Sequence, residues 1–166
     1  MTAPYPAPLE AGYALRRATV FDLRAVYRLE RLIFPRDAYP YTDLFLLFVL
    51  PGMLNQKIVA PDGSLAAFVS ATRALFNRDR AWIVTIGVHP AHRRRGLARH
   101  LLALVEERMK VPYVRLTVRE GNVPAITLYR DTGYRVAERK PGYYRDGETG
   151  LVMEKEVAVT PSPETR

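Results

Sequence analysis

Four arginines fall within seven residues, Arg93, Arg94, Arg95 and Arg99, and Gly96 interrupts them where an apolar run gives way to a helical pattern. That combination suits an anion, because glycine lets a ligand approach the backbone and arginine adds charge-assisted hydrogen bonds. The preceding run "AWIVTIGV" reads as a buried strand ending at His89-Pro90. After it, Gly96 to Lys110 carries Leu97, Leu101, Leu102, Leu104, Val105 and Met109 at helical spacing. A strand that turns through such a loop into a helix aims unpaired N–H groups and the positive end of the helix dipole at one point. Small Ala98 leaves room on the first turn. The loop carries neither GxGxxG nor GxxxxGK[ST], so it predicts a phosphate ligand other than those two glycine-rich loops hold.

Other residue types could take part in acid–base work. Glu30 shares an apolar helix face with Leu23, Val26, Tyr27, Ile33 and Phe34, where burial would raise its pKa toward that of a useful base. The other reading of Glu30 is a helix-surface carboxylate paired with Arg31. His89, His92 and His100 do not have the HExxH spacing, and without cysteine there are no thiolate ligands, so no metal is expected.

The elements that must position these residues are legible from periodicity and breakers. "YALRRAT" alternates like a strand, and Thr19 with Asp22 three residues later marks a helix start. That helix runs to Ile33 and stops at Phe34-Pro35, and "YTDLFLLFVL" reads as a second, very apolar helix closed by Pro51 and Gly52. A hairpin follows, "QKIVA" and "LAAFVSATRA" around the turn "PDGS". After the central strand and its helix come the strand "YVRLTV", a short helix opened by Asn122 with Pro124 in its first turn and closed by Gly133, and two late strands flanking "GYYRDGET". This order predicts an α/β fold on a mixed central sheet of about seven strands with about four helices. The expected organisation is a flexible proline-rich start (1–11), one domain (12–157) and a disordered tail (158–166).

The chain has 166 residues, a formal net charge of +8 and no cysteine. It is long enough for one buried core. The charge calls for an anionic partner without naming it. No apolar run approaches the ~20 residues of a membrane span and the start lacks a signal-peptide layout, so the expectation is a cytoplasmic protein with no membrane partner.

Val88-His89-Pro90 followed by Arg93-Arg94-Arg95-Gly96-Leu97-Ala98 resembles the acetyl-CoA-binding motif of the GNAT acetyltransferases, Q/R-x-x-G-x-G/A after a strand ending in V-x-P. "VRLTVREGNVPAITLYRDTGY" is similar to that family's next segment, and "FPRDAYPY" and "RKPGYYRDGETGLVMEKEV" resemble segments of the N-terminal protein acetyltransferases, including the ribosomal-protein alanine type. The resemblance runs from about Leu15 to Val157.

It implies acetyl transfer from acetyl-CoA to a primary amine, foremost the N-terminal α-amine of a protein or peptide, by direct attack in a ternary complex. It also implies splayed central strands. Ile86, Gly87 and Val88 would offer a strand edge to pantetheine, with the Val88 N–H as oxyanion donor, a role that can be worth ~3 kcal/mol. Arg93, Arg94, Arg95, Gly96, Leu97 and Ala98 would hold the pyrophosphate, and Asn122 would open the helix whose Tyr129 reaches the cofactor sulfur. Tyr129 is the expected general acid toward the leaving thiolate. Alanine-type relatives commonly place a glutamate where Thr117 stands, and a threonine hydroxyl is no base near neutral pH, although it could hold a water. Glu30 and Asp37 are therefore the candidate bases, with an ordinary turn residue as the other reading of Asp37. Tyr39, Tyr41, Tyr143 and Tyr144 are expected to line the acceptor groove, with strand packing as the other reading.

Two further functions fit less of the pattern. One is acetylation of a small-molecule amine. The other is a non-catalytic CoA-binding protein, which Thr117 in place of a glutamate would suit, or a nucleic-acid-binding protein, against which stands the lack of RNA-binding or zinc-finger signatures. The expected quaternary state is a monomer or homodimer.

Overall fold

The computed structural model describes residues 8–158. The strands are β1 (Ala14–Arg17), β2 (Met53–Val59), β3 (Leu65–Arg73), β4 (Arg80–Val88), β5 (Tyr113–Arg119), β6 (Arg135–Lys140) and β7 (Gly150–Glu156). The helices are α1 (Leu23–Ile33), α2 (Tyr41–Val49), α3 (Leu97–Met109) and α4 (Val123–Asp131). Hydrogen-bonded neighbours give a seven-stranded sheet in the order β1-β2-β3-β4-β5-β7-β6. It is mixed: β4 and β5 are parallel, while β1–β2, β2–β3, β5–β7 and β6–β7 are antiparallel. The α/β class and the strand and helix numbers match the sequence pattern. The expected chain ends lie, for 1–7 and 159–166, outside the described residues.

The described residues pack as two compact units, 8–72 with 83–105, and 73–82 with 106–158. In the first, the core of Ala18, Leu23, Val26, Leu29, Leu44 and Phe68 joins α1 and α2 to the sheet. The start of α1 departs slightly from the sequence pattern. A 3-10 turn, Val20–Asp22, comes first, and the Asp22 carboxylate reaches back to accept from the Thr19 N–H at 2.9 Å. The helix ends where Pro35 could donate no bond; the Phe34 N–H still reaches Glu30 O at 2.7 Å, and beyond the helix the Ala38 N–H reaches Phe34 O at 2.8 Å. The β2–β3 turn closes as expected of "PDGS", with Asp62 Oδ1 accepting from the Ser64 N–H at 2.9 Å.

In the second unit, Val114, Leu116 and Val118 of β5 alternate into the core, leaving Tyr113, Arg115, Thr117 and Arg119 on the other, half-buried face. Leu151, Val152 and Met153 of β7 are buried beside them. One buried carboxylate belongs to this core: Glu106 accepts from Lys155 Nζ at 2.7 Å and from the Tyr134 hydroxyl at 3.1 Å. Among the described residues no helix is long and apolar enough to cross a membrane.

Candidate active site

In the first unit, β4 ends at Val88 and the chain makes a 3-10 turn over Pro90–His92 before the basic loop. Arg93, Arg94, Arg95 and Gly96 are exposed, and α3 begins immediately afterwards on the fully buried Leu97. Two residues of the loop have left-handed backbone, Gly96 at φ 72° and, unusually for a side-chain-bearing residue, Arg94 at φ 64°. Holding Arg94 there costs roughly 1–2 kcal/mol, a strain of the kind that clusters at ligand-binding loops. A Cβ on Gly96 would meet no atom within 4 Å, so space is open above the backbone at the helix start. The N–H groups of Leu97, Ala98 and Arg99 lie in the first turn, where no carbonyl of the helix reaches them. The loop thus joins exposed guanidinium groups, free space and helix N–H donors, which fits the phosphates of acetyl-CoA.

Residues far upstream fasten this loop. The Tyr13 hydroxyl and His92 Nδ1 are hydrogen-bonded at 2.9 Å, and Glu10 accepts from Arg95 Nη1 at 2.6 Å. The Arg95 guanidinium also lies 5.8 Å from the centre of the Tyr13 ring. His89 acts structurally, its Nδ1 accepting from the Ala91 N–H at 3.2 Å. Neither Glu10 nor Tyr13 carries a sequence signal for this, because both act on partners some eighty positions away.

Glu30 is only 4 % exposed, which removes the reading of it as a surface carboxylate paired with Arg31. Its Oε1 accepts from the hydroxyl of Thr85, a β4 residue on the same buried face as Ala81 and Ile83, and the Tyr39 N–H also donates to the carboxylate. Oε2 is buried without a hydrogen-bond partner. Burial pushes the Glu30 pKa above the usual carboxylate range, and the bonds from Thr85 and Tyr39 only partly oppose it. Thr85 is a residue that sequence reasoning missed; a threonine in an apolar strand gave no signal of a carboxylate partner 55 positions away.

The Tyr39 hydroxyl donates to the Val84 carbonyl at 3.4 Å, so its side chain ties the loop after α1 to β4. Tyr41 is 48 % exposed, edge-on to Tyr27. Asp37 sits in the turn after α1, half-buried, its N–H donating to Phe34 O at 3.1 Å. A Cβ on Gly87 would lie 2.7 Å from Ile33 Cδ1, so a side chain there would make the end of Ile33 shift.

In the second unit, Asn122 caps α4, its Oδ1 accepting from the Ala125 N–H at 3.3 Å. Tyr129, two turns later, is buried at 8 % exposure with its ring 6.0 Å from that of Tyr134. Burial, with a smaller contribution from the neighbouring Tyr144, raises its pKa above the ordinary tyrosine value, so the phenol keeps its proton at neutral pH. Thr117 lies on the half-buried face of β5. Tyr143 and Tyr144 meet edge to face at 5.1 Å, Tyr143 exposed and Tyr144 half-buried. Among the described residues no three His, Asp or Glu side chains cluster as metal ligands.

Comparison with known proteins agrees with this geometry. Residues 23–134 match the model of the Acetyltransferase (GNAT) family. The chain is 32% identical over 149 residues to the N-terminal acetyltransferase A complex catalytic subunit NAA10 of Arabidopsis thaliana, covering 85% of this chain and 76% of that protein. It is 29% identical over 154 residues to an N-alpha-acetyltransferase of Saccharolobus solfataricus, covering 85% of this chain and 91% of the relative. The ribosomal-protein-S18-alanine N-acetyltransferase from Escherichia coli has a similar structure, with TM-score 0.78 and 25% identity over 93% of this chain and 99% of that one. With residues 23–134 matched by that family's model, the chain belongs to the GNAT acetyltransferase family.

Proposed function

We propose that this acetyltransferase moves the acetyl group of acetyl-CoA to the N-terminal α-amine of a protein or peptide, by direct attack in a ternary complex. The observation that carries the donor half is the loop Arg93–Gly96, with its left-handed residues, exposed guanidinium groups and open space at the start of α3. The acceptor half is supported by the N-terminal acetyltransferases to which the chain is similar along most of its length.

When bound, acetyl-CoA supplies the acetyl group as an activated thioester. The N–H groups of Gly96, Leu97 and Ala98 and the charges of Arg93, Arg94 and Arg95 hold its phosphates. The edge of β4 at Ile86, Gly87 and Val88 takes the pantetheine amides, and the Val88 N–H faces the developing oxyanion. Asn122 acts through its cap, fixing the start of α4 and so the place of Tyr129. The Tyr129 phenol, held protonated, donates to the departing sulfur.

For the amine's proton, Glu30 is the stronger of the two candidate carboxylates. It is buried, its pKa is raised, and its Oε2 has capacity to spare for a proton or a water. Asp37 serves the turn after α1. Thr117 holds water or the acceptor's backbone. Tyr39, Tyr41, Tyr143 and Tyr144 contact the acceptor, the first held to β4 by its hydroxyl's bond to the Val84 carbonyl. The protein works in the cytoplasm as a monomer or homodimer, needs no metal, and its residues 12–157 form one functional domain.

The test is release of CoA from acetyl-CoA in the presence of peptides with different first residues, polyamines, and lysine peptides with blocked N-termini. Turnover confined to peptides with free α-amines supports the proposal. Turnover with polyamines alone moves the acceptor to small amines, and turnover with none of them overturns the enzyme reading.

A further inference from the structure

The Arg119 side chain, at the end of β5 and only 16% exposed, is the hub of a polar network in the second unit. Its Cζ lies 4.1 Å from the centre of the Tyr144 ring, a stacking distance. Its Nη1 donates to Asp146 Oδ2 at 2.9 Å and to Glu148 Oε2 at 2.5 Å. Glu148 turns its other oxygen to the Gly121 N–H at 2.8 Å, and its own N–H donates to Asp146 Oδ1 at 3.2 Å. The approach at Gly121 is close: a Cβ there would lie 2.9 Å from Glu148 Oε1 and would push the carboxylate aside.

One guanidinium therefore joins two segments. The first is the loop between β6 and β7, which presents Tyr143 and Tyr144. The second is the junction of β5 and α4, which leads to the Asn122 cap and on to Tyr129. Thr117 stands on the same face of β5 two residues before Arg119. No other side chain supplies both functions of Arg119, because a planar guanidinium can lie flat on a ring while its edge bonds two carboxylates, and a lysine ammonium cannot.

We propose that Arg119 is a positioning residue for acceptor binding: by stacking on Tyr144 and clamping Asp146 and Glu148, it fixes the loop that contacts the acceptor and leaves donor binding untouched. This rests on the reading that Tyr143 and Tyr144 contact the acceptor peptide. The hydrogen bonds from the N–H groups of Glu148 and Gly121, reinforced by Arg119, hold the Asp146 and Glu148 carboxyls below their usual range, so the clamp is charged at neutral pH.

The experiment measures steady-state acetylation of a peptide that the wild type accepts, varying peptide and acetyl-CoA separately, for Arg119→Gln, Arg119→Lys and the double variant Asp146→Asn/Glu148→Gln. The expected result for Arg119→Gln is a peptide KM raised roughly tenfold while the acetyl-CoA KM stays within about twofold. Arg119→Lys should recover only a minor part of that loss, and the double variant, which keeps Arg119 but loosens the clamp, should shift the peptide KM in the same direction. If Arg119→Gln does not fold, the double variant carries the test. Equal changes in both KM values, no change in either, or full recovery by lysine would overturn the inference while leaving the acetyltransferase reading intact. A wild type that acetylates no peptide would instead overturn the acceptor reading, and this inference with it.

Discussion

The Thr85 hydroxyl donates to Oε1 of Glu30, while Oε2 of the same carboxylate is buried with no hydrogen-bond partner among the described residues. A half-satisfied buried carboxylate costs stability, and its pKa is raised accordingly. As the proposed base, Glu30 predicts that Glu30→Gln, which keeps an acceptor for Thr85, lowers kcat by about a hundredfold or more and leaves the acetyl-CoA KM nearly unchanged. Asp37→Asn should leave kcat near wild type. Single-turnover rates of the two variants check the assignment, and a reversed order would transfer the role to Asp37.

The same carboxylate makes a prediction about stability. Its folded pKa is raised, so the native state holds the proton more tightly than the unfolded chain. The Glu30 contribution is therefore fully present below its unfolded pKa and is lost as pH rises through its folded value. Denaturant midpoints measured upward from pH 4 should fall less steeply for Glu30→Gln than for wild type; parallel curves would show that Glu30 is not the source.

How the sequence announces such sites differs between elements. Glu30 was legible because helical periodicity placed it among apolar residues, and the loop Arg93–Gly96 because a strand, a basic run with glycine and a helix follow one another in the chain. Asn122 and Pro124 marked the start of α4 for the same local reason. Thr85 and Tyr13 gave no comparable signal, nor did the pairing of Arg119 with Tyr144, Asp146 and Glu148. Their roles come from side chains that meet only once strands distant in sequence have paired, and neither periodicity nor turn chemistry encodes such meetings. The bond from the Tyr39 hydroxyl to the Val84 carbonyl is of the same kind, joining residues 45 positions apart.

The loop makes its own prediction through Gly96. With φ at 72° and open space around it, Gly96→Ala meets no steric obstacle but must hold an L-residue in left-handed backbone, at a cost of roughly 1–2 kcal/mol. The expected outcome is a folded protein with a lower melting temperature and a raised acetyl-CoA KM, measured by calorimetry and steady-state kinetics. An unchanged KM would remove Gly96 from the donor site.

The second unit depends on Glu106, which is 7 % exposed and paired with Lys155 at 2.7 Å. Lys155→Met strands that carboxylate and should destabilise the protein by about 3 kcal/mol in chemical denaturation, since removing one partner leaves a buried charge uncompensated. A loss below about 1 kcal/mol would place the pair among the weak surface bridges.

Tyr129 gives the sharpest kinetic test of the proposed chemistry. Tyr129→Phe keeps the buried ring and removes only the hydroxyl, so kcat should fall by about a hundredfold with the acetyl-CoA KM little changed. An unaltered kcat would leave Tyr129 as a packing residue.

The central claim, that the acetyl group goes to a chain's N-terminal amine, is tested most directly by one measurement. A peptide bearing both a free α-amine and an internal lysine is incubated with acetyl-CoA and the protein, and the product is fragmented in a mass spectrometer to locate the added acetyl group. The account predicts acetyl on the first residue alone; acetyl on the lysine side chain, or an unmodified peptide, would contradict it.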